Sequence, residues 1–80
     1  MKNEEEVLKE FRKLDYKIIK NDEQFLILYF YNPNSVSFYI NVDKHFQTYC
    51  CYASRGETIC PIELQEHKLL NELFTIWGWI

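Results

Sequence analysis

The chain has 80 residues, which is the size of one small domain. Hydrophobic residues make up 48% of it, and it has only two glycines and two prolines, so we expect a packed core rather than disorder. The net charge is -3 and the lysines and arginines do not cluster, which argues against a general binder of nucleic-acid backbone.

Three features of the sequence bear on where the protein works. Residues 2–6 contain three glutamates, whereas a secretory signal begins with basic residues followed by an apolar run. The longest apolar run, residues 25–31, is too short to span a bilayer. The three cysteines are an odd number, which favours reduced thiols. We therefore expect a cytoplasmic protein with no membrane partner.

Residues 4–14 are predicted to form the first helix. Its apolar residues share one stripe at helical spacing: Val7, Leu8, Phe11 and Leu14. Asn3 is suited to the N-cap, and three glutamates follow it where the helix dipole favours negative charge.

A second helix is predicted over residues 61–77. Pro61 suits its first position, because proline needs no backbone donor there. Gly78 is placed to end the helix in a Schellman-type stop, with Trp79 packing back on Phe74.

Between the helices the apolar period changes from helical spacing to two, which predicts strands. The predicted strands are residues 16–20, 24–31, 36–42 and 46–52. Short polar turns join them, so consecutive strands should pair as an antiparallel meander. The sequence therefore predicts one α+β domain over residues 1–80, in the order α-β-β-β-β-α, with a four-stranded antiparallel meander sheet packed with an N-terminal and a C-terminal helix.

The predicted register follows from the length of each turn. A tight turn at residues 21 and 22, a turn centred on residues 33 and 34, and a three-residue loop at 43–45 fix which residues face each other. The resulting pairs include Ile18 with Phe25, Tyr31 with Val36, Tyr29 with Phe38, Ile40 with Thr48, and Val42 with Phe46. All three turns then agree on one core face.

The opposite face of this predicted sheet is unusually apolar. With that register it carries Leu26, Leu28, Phe30, Tyr39 and Tyr49. Three interpretations are open: the two helices cover opposite faces, the face makes a homodimer, or it binds another protein. Our leading hypothesis is a protein-interaction module without enzymatic activity, working through these five residues.

Cysteine and histidine are the residues to consider for metal or thiol chemistry. Neighbouring cysteines in a strand point to opposite faces, so Cys50 and Cys51 should not share a zinc ion; we expect Cys50 in the core and Cys51 on the outer face. Cys60 near the start of the second helix, with His67, is the alternative of a small thiol or metal-dependent enzyme. His67 lies about two turns further along, too far to act as its base. We predict no catalytic, metal or cofactor residues.

Two further patterns on the second helix and the sheet leave alternatives open. Glu63 with Glu66 or His67 has the spacing of an acid–base or ligand pair, although such pairs are ordinary on solvated helices. The acidic excess after Arg55 could mimic nucleic-acid phosphate, and aromatics on an open sheet could stack bases. The missing basic residues and the order of elements argue against the nucleic-acid alternative.

The C-terminal stretch carries a resemblance. Residues 62–79 contain Glu66-His67-Lys68, then an apolar pair, and close with Gly78-Trp79. This ending resembles that of many short uncharacterised proteins of phages, prophages and mobile elements in low-GC Gram-positive bacteria, which follow tyrosine-rich strands with such a helix. The resemblance implies a cytosolic accessory protein whose targets are often other proteins, and it implies no catalytic residue.

Overall fold

The computed structural model describes residues 2–57 and 62–80. In chain order the elements are α1 (Glu4–Lys13), β1 (Tyr16–Asn21), β2 (Phe25–Phe30), β3 (Phe38–Asp43), β4 (Thr48–Ala53) and α2 (Leu64–Ile76). The strands form one antiparallel sheet in the order β1-β2-β3-β4. The predicted α+β class and meander order are therefore confirmed.

Helix α1 begins as its sequence predicts. The Asn3 side chain accepts a hydrogen bond from the Glu6 amide at 3.0 Å, and the Glu6 side chain accepts one from the Asn3 amide at 3.4 Å. This reciprocal capping box satisfies donors that the first helical turn leaves without partners. The stripe formed by Val7, Leu8 and Phe11 is buried.

Helix α2 ends as predicted but begins later. Gly78 adopts a φ of 80°, and the Trp79 amide donates to the Phe74 carbonyl at 2.8 Å, which closes a Schellman motif. The rings of Phe74 and Trp79 stack at 4.7 Å. The first helical residue is Leu64, and Pro61 lies outside the described residues. No helix in the described part of the chain has the length and apolar character needed to cross a bilayer.

Both helices pack on the same face of the sheet, which we call the covered face. One core joins them to the strands, and its members are Val7, Leu8, Phe11, Tyr16, Leu26, Leu28, Phe38, Ile40, Val42, Cys51, Ile62, Leu69, Leu70, Leu73 and Phe74. The Trp77 indole N–H donates to Glu4 Oε1 at 2.7 Å, which ties the end of α2 to the start of α1. The interpretation that the helices cover opposite faces is therefore wrong.

The predicted register is wrong on β2 and β4, although β3 faces the core as predicted. The observed pairs include Ile18 with Leu28, Tyr29 with Tyr39, Leu28 with Ile40, Ile40 with Cys51, and Val42 with Tyr49. Each shift is an odd number of residues, and an odd shift moves every side chain of a strand to the opposite face.

The connection between β2 and β3 explains the first shift. Strand β2 ends earlier and β3 begins later than predicted. Residues 31–37 therefore form a seven-residue loop in place of the predicted turn centred on residues 33 and 34. Inside the loop the Asn32 side chain accepts from the Asn34 amide at 3.0 Å, and the Ser37 hydroxyl accepts from the Asn32 amide at 2.9 Å. These side-chain bonds replace the pairing that Tyr31 and Val36 would have made.

The connection between β3 and β4 explains the second shift. Asp43 Oδ1 accepts hydrogen bonds from the amides of His45 and Phe46 at 3.0 and 3.1 Å. The loop then takes one residue more than predicted, with Gln47 at a positive φ of 55°. As a result, Asp43 pairs with Thr48.

Candidate functional site

Four of the five predicted interaction residues do not lie on the outer face of the sheet. Leu26 and Leu28 are fully buried on the covered face, and Phe30 packs against the same core. Tyr49 also faces the helices, with its ring 5.7 Å from that of Phe74. Of the predicted five, Tyr39 alone lies on the outer face.

The outer face is the side of the sheet that neither helix covers. The alternation of the strands places on it Lys17, Lys20, Phe25, Ile27, Tyr29, Tyr39, Asn41, Asp43, Thr48, Cys50 and Tyr52. Its tyrosines and Ile27 are partly exposed, and Lys17 and Cys50 are exposed. Apolar and aromatic atoms are therefore in contact with solvent at the centre of the sheet.

Three tyrosines form a row across the outer face, one residue from the end of the sheet where β2 stops and β3 begins. Tyr29 pairs directly with Tyr39, and Tyr39 with Tyr52. The ring centroids are 4.8 and 5.2 Å apart, with interplanar angles of 40° and 26°. Lys17 pairs with Tyr29 and extends this tyrosine row to the edge strand β1.

The rings of the tyrosine row pack against one another. Their separations are close to the spacing of neighbouring strands, about 4.8 Å, as expected for rings that stand side by side rather than flat on the sheet. Tyr39 has a tyrosine ring on each side, at 4.8 and 5.2 Å, which leaves no room for a nucleic-acid base to insert between the rings. The row instead presents ring edges and hydroxyl groups.

Polar and charged groups surround the tyrosine row unevenly. Lys20 lies with its Nζ 5.3 Å from the centre of the Phe25 ring, so both cations near this face, Lys17 and Lys20, belong to β1. Burial raises the pKa of Tyr52, which keeps its hydroxyl protonated and able to donate. The side-chain oxygen of Asn41 is buried and accepts no hydrogen bond from the described residues.

Those of the residues considered for thiol and metal chemistry that the structure describes are not brought together. Cys50 is exposed on the outer face and Cys51 is buried on the covered face, the reverse of the predicted assignment. His67 Nδ1 lies 3.3 Å from the Tyr49 hydroxyl, and Cys60 lies outside the described residues. No group of three or more potential metal ligands occurs within residues 2–57 and 62–80.

Glu66 is the residue whose surroundings the sequence predicted least well. It was expected on a solvated helix face, yet it is 7% exposed and accepts a hydrogen bond from the Tyr16 hydroxyl at 3.1 Å. Burial and the neighbouring carboxylate raise the pKa of Tyr16 far above its ordinary value, so the hydroxyl stays a donor.

Tyr29, Tyr52 and Lys17 also lie on the outer face, where the sequence did not predict them. One signal could have found the tyrosines: a phenolic hydroxyl needs a hydrogen-bond partner or water, whereas leucine does not. That preference would have placed Leu28 inside and Tyr29 outside. No protein-family model, curated protein or solved structure matches the chain.

Proposed function

We propose that the chain is a protein-interaction module without enzymatic activity, and that it associates with a second copy of itself through the outer face. The observation that carries this proposal is the tyrosine row on a sheet face that neither helix covers. Tyrosine is enriched at the energetic centres of interfaces, because it combines a large apolar ring with a hydroxyl and few rotatable bonds. The exposed thiol of Cys50 suits the reducing cytoplasm, where we place the protein.

The size of the outer face indicates how strong the association should be. Four strands of six residues extend over about 20 Å by about 15 Å of backbone. Each face covers about 300 Å2 of sheet, well below the roughly 800 Å2 per partner of a standard interface and in the range of weak, transient contacts. We therefore expect a reversible dimer with a Kd on the order of tens of micromolar.

The two lysines of β1 select the arrangement of the dimer. Aligned sheets can pack face to face with β1 opposite the partner's β1 or with β1 opposite the partner's β4. The first arrangement brings the two β1 strands together, so the lysines of one copy meet those of the other, which is repulsive even though Lys20 pairs with Asp22 at 3.5 Å. In the second, Lys17 meets the ring and hydroxyl of Tyr52 in the partner, where a cation–π contact is favourable. We expect the second arrangement.

Sedimentation at about 5 to 500 µM, a range chosen around the expected Kd, tests the proposal. The wild type should pass from monomer to dimer, and Tyr39→Glu should remain monomeric because it places one carboxylate from each copy within the interface. The control is Tyr31→Glu, the same change at a tyrosine that is 63% exposed in the loop between β2 and β3. This control should dimerise like the wild type.

Two results would overturn the proposal. If the wild type stays monomeric at the highest concentration, the chain does not self-associate and the proposal is wrong. A Tyr39→Glu protein that is folded by circular dichroism and still dimerises would place the interface elsewhere. A monomeric wild type that instead binds an oligonucleotide would favour the nucleic-acid alternative.

A further inference from the structure

A second surface feature lies away from the outer face, at the end of the molecule where α1 stops and α2 starts. An open cleft of about 740 Å3 is lined there by the end of α1, the start of β1, the loop of residues 31–37 and the first turn of α2. This volume is within the range of about 300 to 1,000 Å3 that ligand sites occupy.

A buried carboxylate lines this cleft. Glu66 Oε2 accepts from the Tyr16 hydroxyl, but Glu66 Oε1 is buried and has no hydrogen-bond partner among residues 2–57 and 62–80. A buried acceptor without a donor is costly, because it has lost water and gained nothing in return. A donor that entered the cleft and bonded to Oε1 would remove that cost.

Aromatic rings form the cleft wall beside the carboxylate. Tyr16, Phe30 and Phe38 all line the cleft, and their ring centroids lie 5.3 to 6.0 Å apart. A wall of this kind favours an alkyl chain.

The charges around the cleft favour a cation. Three carboxylates, from Asp15, Glu63 and Glu66, line it against a single cation, Lys13. Lys13 is already paired with Glu10 at 3.3 Å, on the same exposed face of α1. An anionic ligand would therefore meet net repulsion, and an ammonium or guanidinium group would meet attraction.

We propose that this cleft binds an organic cation, an ammonium or guanidinium group on a short alkyl stem, with Glu66 accepting from the cationic group and the aromatic wall packing on the stem. Free amines and the side chains of lysine or arginine in another polypeptide share this chemistry. The proposal does not depend on the outer face, because Glu66 belongs to the covered side of the molecule.

The test is a titration of isotope-labelled protein, followed by amide chemical shifts, with n-butylammonium and with n-butanol. The ammonium should shift amides near Tyr16 and Glu66 in a saturable way, and the neutral alcohol of similar shape should bind at least about 10-fold more weakly. Butylguanidinium should bind at the same place. Comparison with Nα-acetyl-lysine methylamide identifies the source: tighter binding than butylammonium points to a polypeptide, and weaker binding points to a free amine.

A matched pair of variants assigns the effect to the buried carboxylate. Glu66→Gln keeps the shape and removes the charge, and it should weaken butylammonium binding about 10- to 100-fold. Glu72→Gln is the control, since Glu72 lies on the same helix, outside this cleft, and pairs with Lys2 at 3.5 Å. It should bind like the wild type.

Three results would overturn the proposal: no saturable shift with either cation, equal affinity for butanol and butylammonium, or unchanged affinity in folded Glu66→Gln. If Glu66→Gln does not fold, the comparison of butylammonium with butanol on the wild type still decides. A failure of dimerisation would leave these expectations unchanged, so the two proposals fail separately.

Discussion

The two faces of this sheet are built from the same strands but from different kinds of apolar residue. Along β2, Leu26 and Leu28 are fully buried beneath the helices, whereas Ile27 and Tyr29 alternate with them on the outer face. Along β2 and β3 the covered face carries only hydrocarbon side chains, whereas the outer face carries the hydroxyls of Tyr29 and Tyr39 and the amide of Asn41. Apolar character alone therefore does not assign a strand's faces; the hydrogen-bonding needs of each residue do.

The largest expected effect comes from truncating neighbouring residues on opposite faces. Leu28→Ala should lower the free energy of unfolding by about 3 kcal/mol, because it opens a cavity in the core. Tyr29→Ala should cost about 1 kcal/mol, since the side chain is only half-buried and loses mainly its ring contact with Tyr39. Urea unfolding of both variants measures the difference, and a larger loss for Tyr29→Ala would reverse our assignment of the faces.

A smaller loss of stability is expected from removing a hydroxyl, and it should be larger for a buried hydroxyl than for an exposed one. Tyr16→Phe should cost about 2 kcal/mol, because it leaves the buried Glu66 carboxylate without its donor. The same change at Tyr39 should alter stability by less than about 0.5 kcal/mol, since water can replace its partner. Thermal unfolding of the two variants compares them directly, and equal losses would mean that the hydroxyl of Tyr16 is not buried.

The smallest effect concerns the turn that sets β1 against β2. Asp22 Oδ1 accepts from the amides of Gln24 and Phe25 at 2.9 and 2.8 Å, and these backbone bonds lower its pKa from 3.8. A group whose pKa is lower in the folded state than in the unfolded state stabilises the fold at pH values above its unfolded-state pKa. This stabilisation is lost as the pH falls through its folded-state pKa.

Asp22→Ala should therefore destabilise the protein at pH 7, and the difference from the wild type should shrink as the pH falls below 3.8. Denaturant unfolding at several pH values checks this, with Glu23→Ala, an exposed acid in the same turn, as the control. A difference that grows at low pH would show that the Asp22 carboxylate is not stabilising the turn.

The elements and their order could be predicted because they depend on local patterns. The Asn3 cap, the apolar stripe of α1 and the Gly78 stop each use residues that are neighbours in sequence. The register could not be read the same way, because it depends on how far each loop extends. The side-chain bonds of Asn32 and Asp43 lengthened two loops by odd numbers of residues, which exchanged the faces of β2 and β4.

The candidate sites were less predictable than the fold for the same reason. The choice of a sheet face as the interacting surface does not depend on the exact strand register. The members of that face do depend on it, and four of the five predicted members lie elsewhere. The burial of Glu66 requires Tyr16, which lies 50 residues away in sequence, to meet it in the fold. No local pattern signals that contact.

The adjacent cysteines of β4 test the central claim most directly, because one lies on each face. Two double variants isolate them: Cys51→Ser with Cys60→Ser keeps Cys50, and Cys50→Ser with Cys60→Ser keeps Cys51. We predict fast alkylation of Cys50 that slows as protein concentration rises through the dimer range, and slow alkylation of Cys51 at every concentration. Equal rates for the two thiols, or a Cys50 rate that does not depend on concentration, would contradict the account.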